Sequence, residues 1–325
     1  MWACAAFLYG TQLSHALTRV ELYQATVPLA DRSEAAQAVA FESALTVVLV
    51  RVTGRRASAE DPALAPLTHN ARRYVQQYRS APDNQLWVAF DGGAIERWLN
   101  QNGQPVWGRA RPLTLVWLTA GNGPNSGTVA TVDAASELKA AVRAAAALRG
   151  VPLMWPSGAD LQREHLDYPS IAGASSASLA DIAHRMGAEG VLIGRAASAA
   201  ATAQVRWTFV FEEHSNDFSG DAAAGVDRAA DAYAGIFAVS GGLQPVAIEV
   251  TGIKDLQDYA RVQTYLESLP AVTHVGVEAL TQDTVRFQLG TRGGAEALRH
   301  ALTLEDRLQS TAASADGVLR YQLRR

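Results

Sequence analysis

The side chains of this chain that could carry out chemistry are scattered, and their spacing matches catalytic motifs only in part. Ser136 and Lys139 have the Ser-x-x-Lys spacing, which places a hydroxyl and an amine on one helical turn, as some acyl-transfer enzymes do. The Ser-Asp-Asn and Lys-Thr-Gly elements that accompany this motif do not occur in the sequence. We therefore interpret the pair as a surface turn next to a helix cap.

Acidic and imidazole side chains gather locally in the range 160–184. A zinc-binding helix carries two histidines four residues apart, whereas this range has the order Glu-His-x-Asp from Glu164 to Asp167. Asp160 and Asp167 are therefore expected to cap loops or to support a neighbouring site from its second sphere, and His184 belongs to the same local gathering. These patterns predict no metal, no cofactor and no catalytic residue.

A glycine-rich stretch at 121–127 follows an apolar strand, which is where a phosphate-binding loop would lie. It lacks the Gly-Lys-Ser/Thr ending of such loops, and Pro124 has no backbone N–H to donate to a phosphate. The next lysine along the chain, Lys139, falls inside the following helix. We therefore predict a flexible surface turn.

Length and composition restrict the fold and the partners. A chain of 325 residues suits two or three domains, and 48% hydrophobic with 18% charged residues is typical of a globular protein. The net charge of −4 and the absence of a basic cluster argue against a nucleic-acid partner.

The first sixteen residues have features of an export signal. The range 2–9 is apolar apart from Cys4, and Ser14 and Ala16 are small residues at the two positions that a signal peptidase reads. We expect residues 1–16 to be a signal peptide remnant and the protein to be periplasmic, or cytoplasmic if this segment is not a signal. Cys4 is the one cysteine, so the mature chain would have no disulfide or thiol chemistry. No transmembrane segment is expected in that mature chain.

Strand and helix patterns divide the rest into three predicted domains. The first, at 17–110, has a central apolar helix that Asp31 and Ser33 are well placed to cap and that ends near Gly54. A second helix is predicted at 64–78. The other elements predicted for this domain are strands and a helix at 20–28, 86–90 and 93–100.

The middle domain is expected at 111–242 and has the pattern of an α/β layer sandwich. Asp133 is predicted to open an alanine-rich helix that Gly150 ends. The strand at 204–213 alternates, and its apolar face carries Val205, Trp207, Phe209 and Phe211. The remaining strands and helices are predicted at 113–118, 151–155, 178–186, 191–196 and 221–239.

The third domain, at 243–325, has the order βαββαβ, which is the ferredoxin-like split motif. Its three clearest strands alternate apolar residues around Ile248, Phe287 and Tyr321, and Asp255 caps the first helix. The fold class predicted for the whole chain is therefore α/β and α+β, built from small domains in series.

Four segments, together with the strand around Trp207, carry a resemblance to a known family. In order they are ALTVVLVRVTGR, RPLTLVWLTA, RGVPLMWP and MGAEGVLIGR, at 44–55, 111–120, 149–156 and 186–195. In this order they resemble the proteobacterial family called domain of unknown function 2066. These are packing and turn motifs, so the resemblance implies an exported protein and implies no activity.

Two functions of different classes remain. The first is a non-enzymatic envelope scaffold whose domains bind other envelope proteins. The second is a ligand-binding protein or enzyme with a site in the middle domain, near the carboxyl ends of its strands. A deep pocket with converging polar groups would favour the second, and a flat surface the first. The residues predicted to form a ligand or partner surface are Asp133, Asp160, Asp181, Trp155 and Trp207.

Overall fold

The computed structural model describes residues 18–123, 125–241, 243–269, 271–304, 307–312 and 317–324. The predicted signal peptide remnant at 1–16, with its cysteine, lies outside the described residues.

The first part of the chain packs one long helix on a three-stranded antiparallel sheet. Its elements are β1 (Thr18–Arg19), β2 (Gln24–Pro28), α1 (Glu34–Thr53), α2 (Ala65–Thr68), β3 (Val75–Ala81), β4 (Gln85–Phe90), α3 (Gly92–Gln101) and β5 (Ala110–Arg111). The sheet has the order β2-β4-β3, and β1 pairs with β5. Ser33 caps α1 by accepting a hydrogen bond from the Ala36 N–H, and Gly54 ends the helix in the left-handed conformation, as predicted.

Helix α1 is the core helix of this part. By length and composition it is the one helix of the described residues that could cross a membrane, with a mean hydropathy of 1.5. Its buried side chains, such as Phe41 and Leu45, pack with Val88 and Phe90 of β4 and with Leu99 of α3. The apolar composition therefore corresponds to a buried helix in this structure.

The prediction of a helix at 64–78 is wrong over most of that range. The chain makes the short helix α2, then a 3₁₀ turn at Ala71–Tyr74, and then enters β3. A tight turn joins β3 to β4, with Asp83 and Asn84 both in the left-handed conformation that these two residue types tolerate. Tyr78 lies opposite Val88 in the resulting hairpin.

The middle part is a sheet between two layers of helices. Its elements are β6 (Thr114–Gly123), β7 (Ser126–Val129), α4 (Glu137–Arg149), β8 (Leu153–Met154), α5 (Gly158–Arg163), α6 (Tyr168–Gly173), α7 (Ser176–Arg185), β9 (Gly190–Ala196), β10 (Val205–Phe211), β11 (His214–Gly220) and α8 (Ala222–Phe237). The strand order is β11-β10-β9-β6-β7, with β8 also on β6. Strands β6 and β9 are parallel, and β9, β10 and β11 are antiparallel neighbours.

Alternating side chains of the sheet fill two separate cores. Val116 and Leu118 of β6 join the core under α4 and α8, whereas Leu115 and Trp117 join the core under α6 and α7. Trp207 lies in the first core with 1% of its surface exposed, and its indole N–H donates to the Asp221 carbonyl.

The structure differs from the sequence analysis in three details of this part. Ser136, not Asp133, caps the alanine-rich helix. Within the predicted surface turn at 121–127, residues 121–123 end β6, and residues 126 and 127 begin β7. Strand β11 was not predicted, since its sequence is polar and exposed and gives no apolar alternation.

The last part is a five-stranded sheet with two helices. Its elements are β12 (Leu243–Thr251), α9 (Leu256–Ser268), β13 (Val272–Thr281), β14 (Thr284–Arg292), α10 (Gly294–Leu304), β15 (Leu308–Ala312) and β16 (Leu319–Leu323). The order is β13-β14-β12-β16-β15, and Asp255 caps α9 as predicted.

This sheet differs from the predicted split motif by one added strand. Strand β15 had not been predicted; it pairs antiparallel with β16, which lies parallel to β12. In the split motif the last strand would follow α10 directly. The fold class, mixed α/β and α+β with small modules in series, is confirmed. The numerical domain boundaries stay a prediction.

A fully buried arginine joins the first and middle parts. All five N–H groups of Arg111 donate to backbone carbonyls at 2.5–3.2 Å, and its guanidinium stacks on the Trp107 ring at 3.7 Å. Two of these carbonyls belong to Arg149 and Gly150 at the carboxyl end of α4, and another belongs to Arg51 near the carboxyl end of α1. The helix dipoles favour a cation at these ends. Burial lowers the pKa of Arg111 to about 9, and the charges of Arg51 and Arg149 act in the same direction.

Ion pairs complete the joints between the parts. Arg149 binds Asp227 and Asp231 of α8, each at 2.5 Å, and also the Gly54 carbonyl at 2.9 Å. Glu96 of α3 accepts from Arg292 of the last part and from the Tyr23 hydroxyl. The three parts are therefore joined by arginines that are mostly buried and by carboxylates that are partly exposed.

Candidate functional site

The five residues predicted to form a ligand or partner surface do not form one cluster. Asp133 is exposed before α4, and Asp181 is exposed on α7, which lies on the other face of the sheet. Asp160 caps α5. Trp155 and Trp207 are buried in the core under α4 and α8.

The Ser-x-x-Lys pair has a structural arrangement. The Ser136 hydroxyl accepts a hydrogen bond from the Lys139 N–H, which caps α4. The Lys139 ammonium donates to the carbonyls of Thr131, Val132 and Ala134. Its three donors are thus bound to backbone, and burial lowers its pKa.

The acidic and imidazole residues of 160–184 act in capping and pairing. Asp160 and Asp167 each complete a capping box, with Ser157 and Ser170 respectively, and these hydrogen bonds lower the pKa of both carboxyls. Glu164 pairs with Arg185 at 2.7 Å. Within the described residues, no three histidine, cysteine, aspartate or glutamate side chains lie close enough together to hold a metal ion.

The glycines of the β6–β7 hairpin make room for one aromatic ring. A Cβ at Gly127 would lie 2.2 Å from the Tyr168 ring, and one at Gly121 would lie 2.6 Å from its hydroxyl oxygen. That hydroxyl donates to the Gly123 carbonyl at 3.1 Å. The glycine spacing that suggested a phosphate loop is explained by this close approach.

A cleft of about 650 Å³ opens on the face of the sheet that carries α6 and α7. Its walls are the segment that connects these two helices, on one side, and strands β9, β10 and β11, on the other. Its lining residues are Ala172, Ala174, Ser176, Arg195, Arg206, Trp207, Thr208, Asp217, Phe218 and Ser219. We refer to it below as the β9–β11 cleft.

The polar side chains of the cleft stand in two neighbouring rows across the sheet. Arg195 of β9 lies directly opposite Arg206 of β10, which lies opposite Ser219 of β11. Thr208 and Asp217 form the next row on the same face. Arg195 is the penultimate residue of β9, so the cleft lies at the carboxyl end of a parallel strand, where open α/β sheets bind ligands.

Arg195 is held by the helix above it. Its Nε donates to the Ala172 carbonyl at 3.0 Å and its Nη2 to the Ala174 carbonyl at 2.9 Å, at the end of α6. Its Nη1 makes no hydrogen bond with the described residues. Burial lowers the pKa of Arg195, the charge of Arg206 lowers it further, and Asp217 raises it.

The remaining charges of the cleft are more open. Arg206 is exposed and makes no hydrogen bond or ion pair with the described part of the chain. The Thr208 hydroxyl donates to one carboxylate oxygen of Asp217 at 2.6 Å, which leaves the other oxygen able to accept a hydrogen bond. The cleft thus offers cationic donors beside one acidic acceptor.

The lining of the cleft offers cations, hydroxyls and one carboxylate. It contains no histidine, cysteine or lysine, and among its hydroxyls that of Thr208 donates to the Asp217 carboxylate. Two smaller cavities, of about 220 and 360 Å³, lie at the joint between the first and middle parts and are lined mainly by α1, α4 and α8.

Sequence reasoning missed all three charged residues of the cleft. Arg206 occupies the polar side of an alternating strand, which looks the same as a solvated surface position. Asp217 lies on β11, and Arg195 occurs in a segment that is otherwise apolar. A detectable signal was the cationic Arg195 at the end of a buried parallel strand.

Comparison with known proteins gives one match. Residues 16–108 match the family described as Domain of unknown function (DUF8605). This family differs from domain of unknown function 2066, the family that the motifs predicted, and the comparison gives no support for that prediction. No curated protein and no solved structure matches the chain.

Proposed function

We propose that the protein binds a small polar ligand in the β9–β11 cleft. The observation that carries this proposal is the convergence of Arg195, Arg206, Thr208 and Asp217 in one cavity at the carboxyl end of a parallel strand. The volume of about 650 Å³ falls in the range of small-molecule sites.

The proposed role is binding. The lining supplies arginines that can recognise a charged group, together with one carboxylate and hydroxyls that can form hydrogen bonds with a ligand. The rigid support of Arg195 by the end of α6 suits recognition, because a preorganised donor costs less to order when the ligand binds.

We further propose a periplasmic location and a place among envelope proteins. Support comes from the apolar range 2–9, the small residues before 17, and the order of motifs that resemble domain of unknown function 2066. Fractionation of cells that produce the full chain, with immunoblotting, tests the location. Recovery in the cytoplasmic fraction would contradict it.

A scaffold for other envelope proteins is the second candidate. The buried contacts of Arg111, Arg149 and Arg292 favour it, because they hold the three parts in a fixed arrangement that could present a composite surface. Crosslinking in the native host, followed by purification, tests this candidate. Recovery of the chain alone would contradict it.

The binding proposal is tested by filling the cleft. Ser176 lines the cleft and Ser178 lies two residues further along α7, outside its lining and exposed. We expect a thermal-shift screen of neutral and charged small metabolites to find a ligand that wild type and Ser178→Trp bind and Ser176→Trp does not. If no such ligand is found, or if both variants bind it equally, the proposal is wrong.

A further inference from the structure

The two arginines of the cleft form an arrangement that is unfavourable without a ligand. Arg195 and Arg206 lie directly opposite each other in the antiparallel β9–β10 pair, on the same face. Like charges in this position repel each other. In line with this repulsion, the pKa of Arg195 is lowered first by burial and then by the charge of Arg206.

The lining does not neutralise this pair. Asp217 is the one carboxylate among the lining residues, and one of its oxygens is already bound by Thr208. Two guanidinium groups and one carboxylate leave the cleft with a net positive charge. The donors that remain are the Nη1 group of Arg195 and the whole head group of Arg206, which have no partner among the described residues.

From this geometry we infer that the ligand is a hydroxylated organic anion. Its carboxylate or phosphate group binds between Arg195 and Arg206, where arginine can donate two parallel hydrogen bonds. A hydroxyl group of the same molecule donates to the free oxygen of Asp217. This inference rests on the proposed function of the β9–β11 cleft.

The spacing of the two rows determines the kind of molecule. Arg206 and Thr208 are two residues apart on one strand, so the rows are separated by about 6.6 Å at the backbone. A sugar acid or a phosphorylated sugar spans this distance, with the anion at one end and hydroxyls along its length. A bare anion would bind the arginines but would bring no hydroxyl to donate to the second carboxylate oxygen of Asp217.

The experiment measures binding of four probes by isothermal titration calorimetry: glucose 6-phosphate, gluconate, inorganic phosphate and glucose. We expect at least one of the two sugar anions to bind at least tenfold more tightly than glucose and than inorganic phosphate. The affinity should fall as sodium chloride is raised, because the contact is between charges. The anion that binds distinguishes a phosphate ligand from a carboxylate ligand.

Variants assign the binding to named side chains. Arg206→Ala should weaken the sugar anion by about tenfold or more, the equivalent of one charge-assisted hydrogen bond. Arg143→Ala removes an equally exposed arginine on α4, at the other face of the sheet, and should leave the affinity unchanged. Asp217→Asn should reduce the preference for the sugar anion over inorganic phosphate, since it removes the negative charge of the carboxylate that repels inorganic phosphate.

The outcomes separate the two proposals. Equal binding of glucose and the sugar anions, unaffected by Arg206→Ala but lost in Ser176→Trp, overturns the anion inference and leaves the cleft as a ligand site. The anion inference is also overturned, and the cleft remains a ligand site, if the metabolite screen finds an uncharged ligand whose binding is unaffected by Arg206→Ala but lost in Ser176→Trp. If no sugar anion binds, the inference is also overturned. Circular dichroism of Arg206→Ala and Arg206→Gln checks that a loss of binding is not a loss of folding.

Discussion

Replacing Arg111 by methionine tests whether the joint between the first and middle parts depends on hydrogen bonds to carbonyls. Methionine keeps an unbranched apolar stem against Trp107 but donates nothing to the five carbonyl oxygens that the guanidinium now satisfies. The side chain is fully buried, so water cannot easily replace it.

The magnitude follows from the five buried carbonyls that lose their donor. Leaving one buried acceptor unsatisfied costs about 1–3 kcal/mol, and removal of the desolvated cation offsets part of the sum, so we expect a net loss of about 3–5 kcal/mol. In a domain of 150–250 residues each kcal/mol corresponds to about 2–4 °C of Tm, so we expect a decrease of about 6–20 °C in Arg111→Met. Differential scanning calorimetry at neutral pH measures it.

The matched control is Arg79→Met in the first part. Arg79 also stacks on a tryptophan, with its guanidinium 4.4 Å from the centroid of the Trp87 ring, but it is exposed and has no hydrogen-bond partner among the described residues. Its loss should cost about 1 kcal/mol or less. If Arg111→Met lowers Tm no more than Arg79→Met does, the reasoning about carbonyl partners is refuted.

Three further results are expected. Gly190→Ala should destabilise the middle part by about 3 kcal/mol, because its Cβ would lie 1.7 Å from the Tyr233 hydroxyl oxygen; denaturant unfolding measures this, and failure of Tyr233→Phe to relieve part of the loss would count against the clash. Burial, followed by the charge of Glu96, raises the pKa of Tyr23, so the folded state keeps a proton that the unfolded state releases above about pH 10. Stability from this group is therefore complete below pH 10 and lost as pH rises further, and wild type should lose more stability than Tyr23→Phe between pH 9 and 11; parallel curves would contradict this. The pKa of Asp160 is lowered by its Ser157 hydrogen bonds, so its contribution is present above the ordinary value of 3.8 and lost as pH falls below it, and Asp160→Asn should flatten the acid limb of a stability–pH curve.

Sequence patterns predicted elements well where apolar side chains alternate or recur. The boundaries of α1 follow from Ser33 and Gly54, and the strand around Trp207 follows from its alternation. Strands that are stabilised by hydrogen bonds to a neighbouring strand, and not by burial of their own side chains, were not predicted. Strands β3, β11 and β15 are such elements, and β3 and β11 are mostly exposed.

The candidate site was predictable in its general location and not in its residues. The carboxyl ends of the middle strands were expected from the α/β pattern, and the cleft lies there. The clustering of the charged residues depends on the register of the strands, since Arg195, Arg206 and Asp217 come together only when β9, β10 and β11 are aligned. Register is fixed by tertiary packing and cannot be read from one strand at a time.

The joint at Arg111 differs in kind from the contact between Glu96 and Arg292. The guanidinium of Arg111 is bound by carbonyls at the ends of two helices, α1 and α4, that belong to different modules, whereas Glu96 and Arg292 meet through their side chains. Neither of these helix ends can therefore unravel without weakening the contact between the first and middle modules.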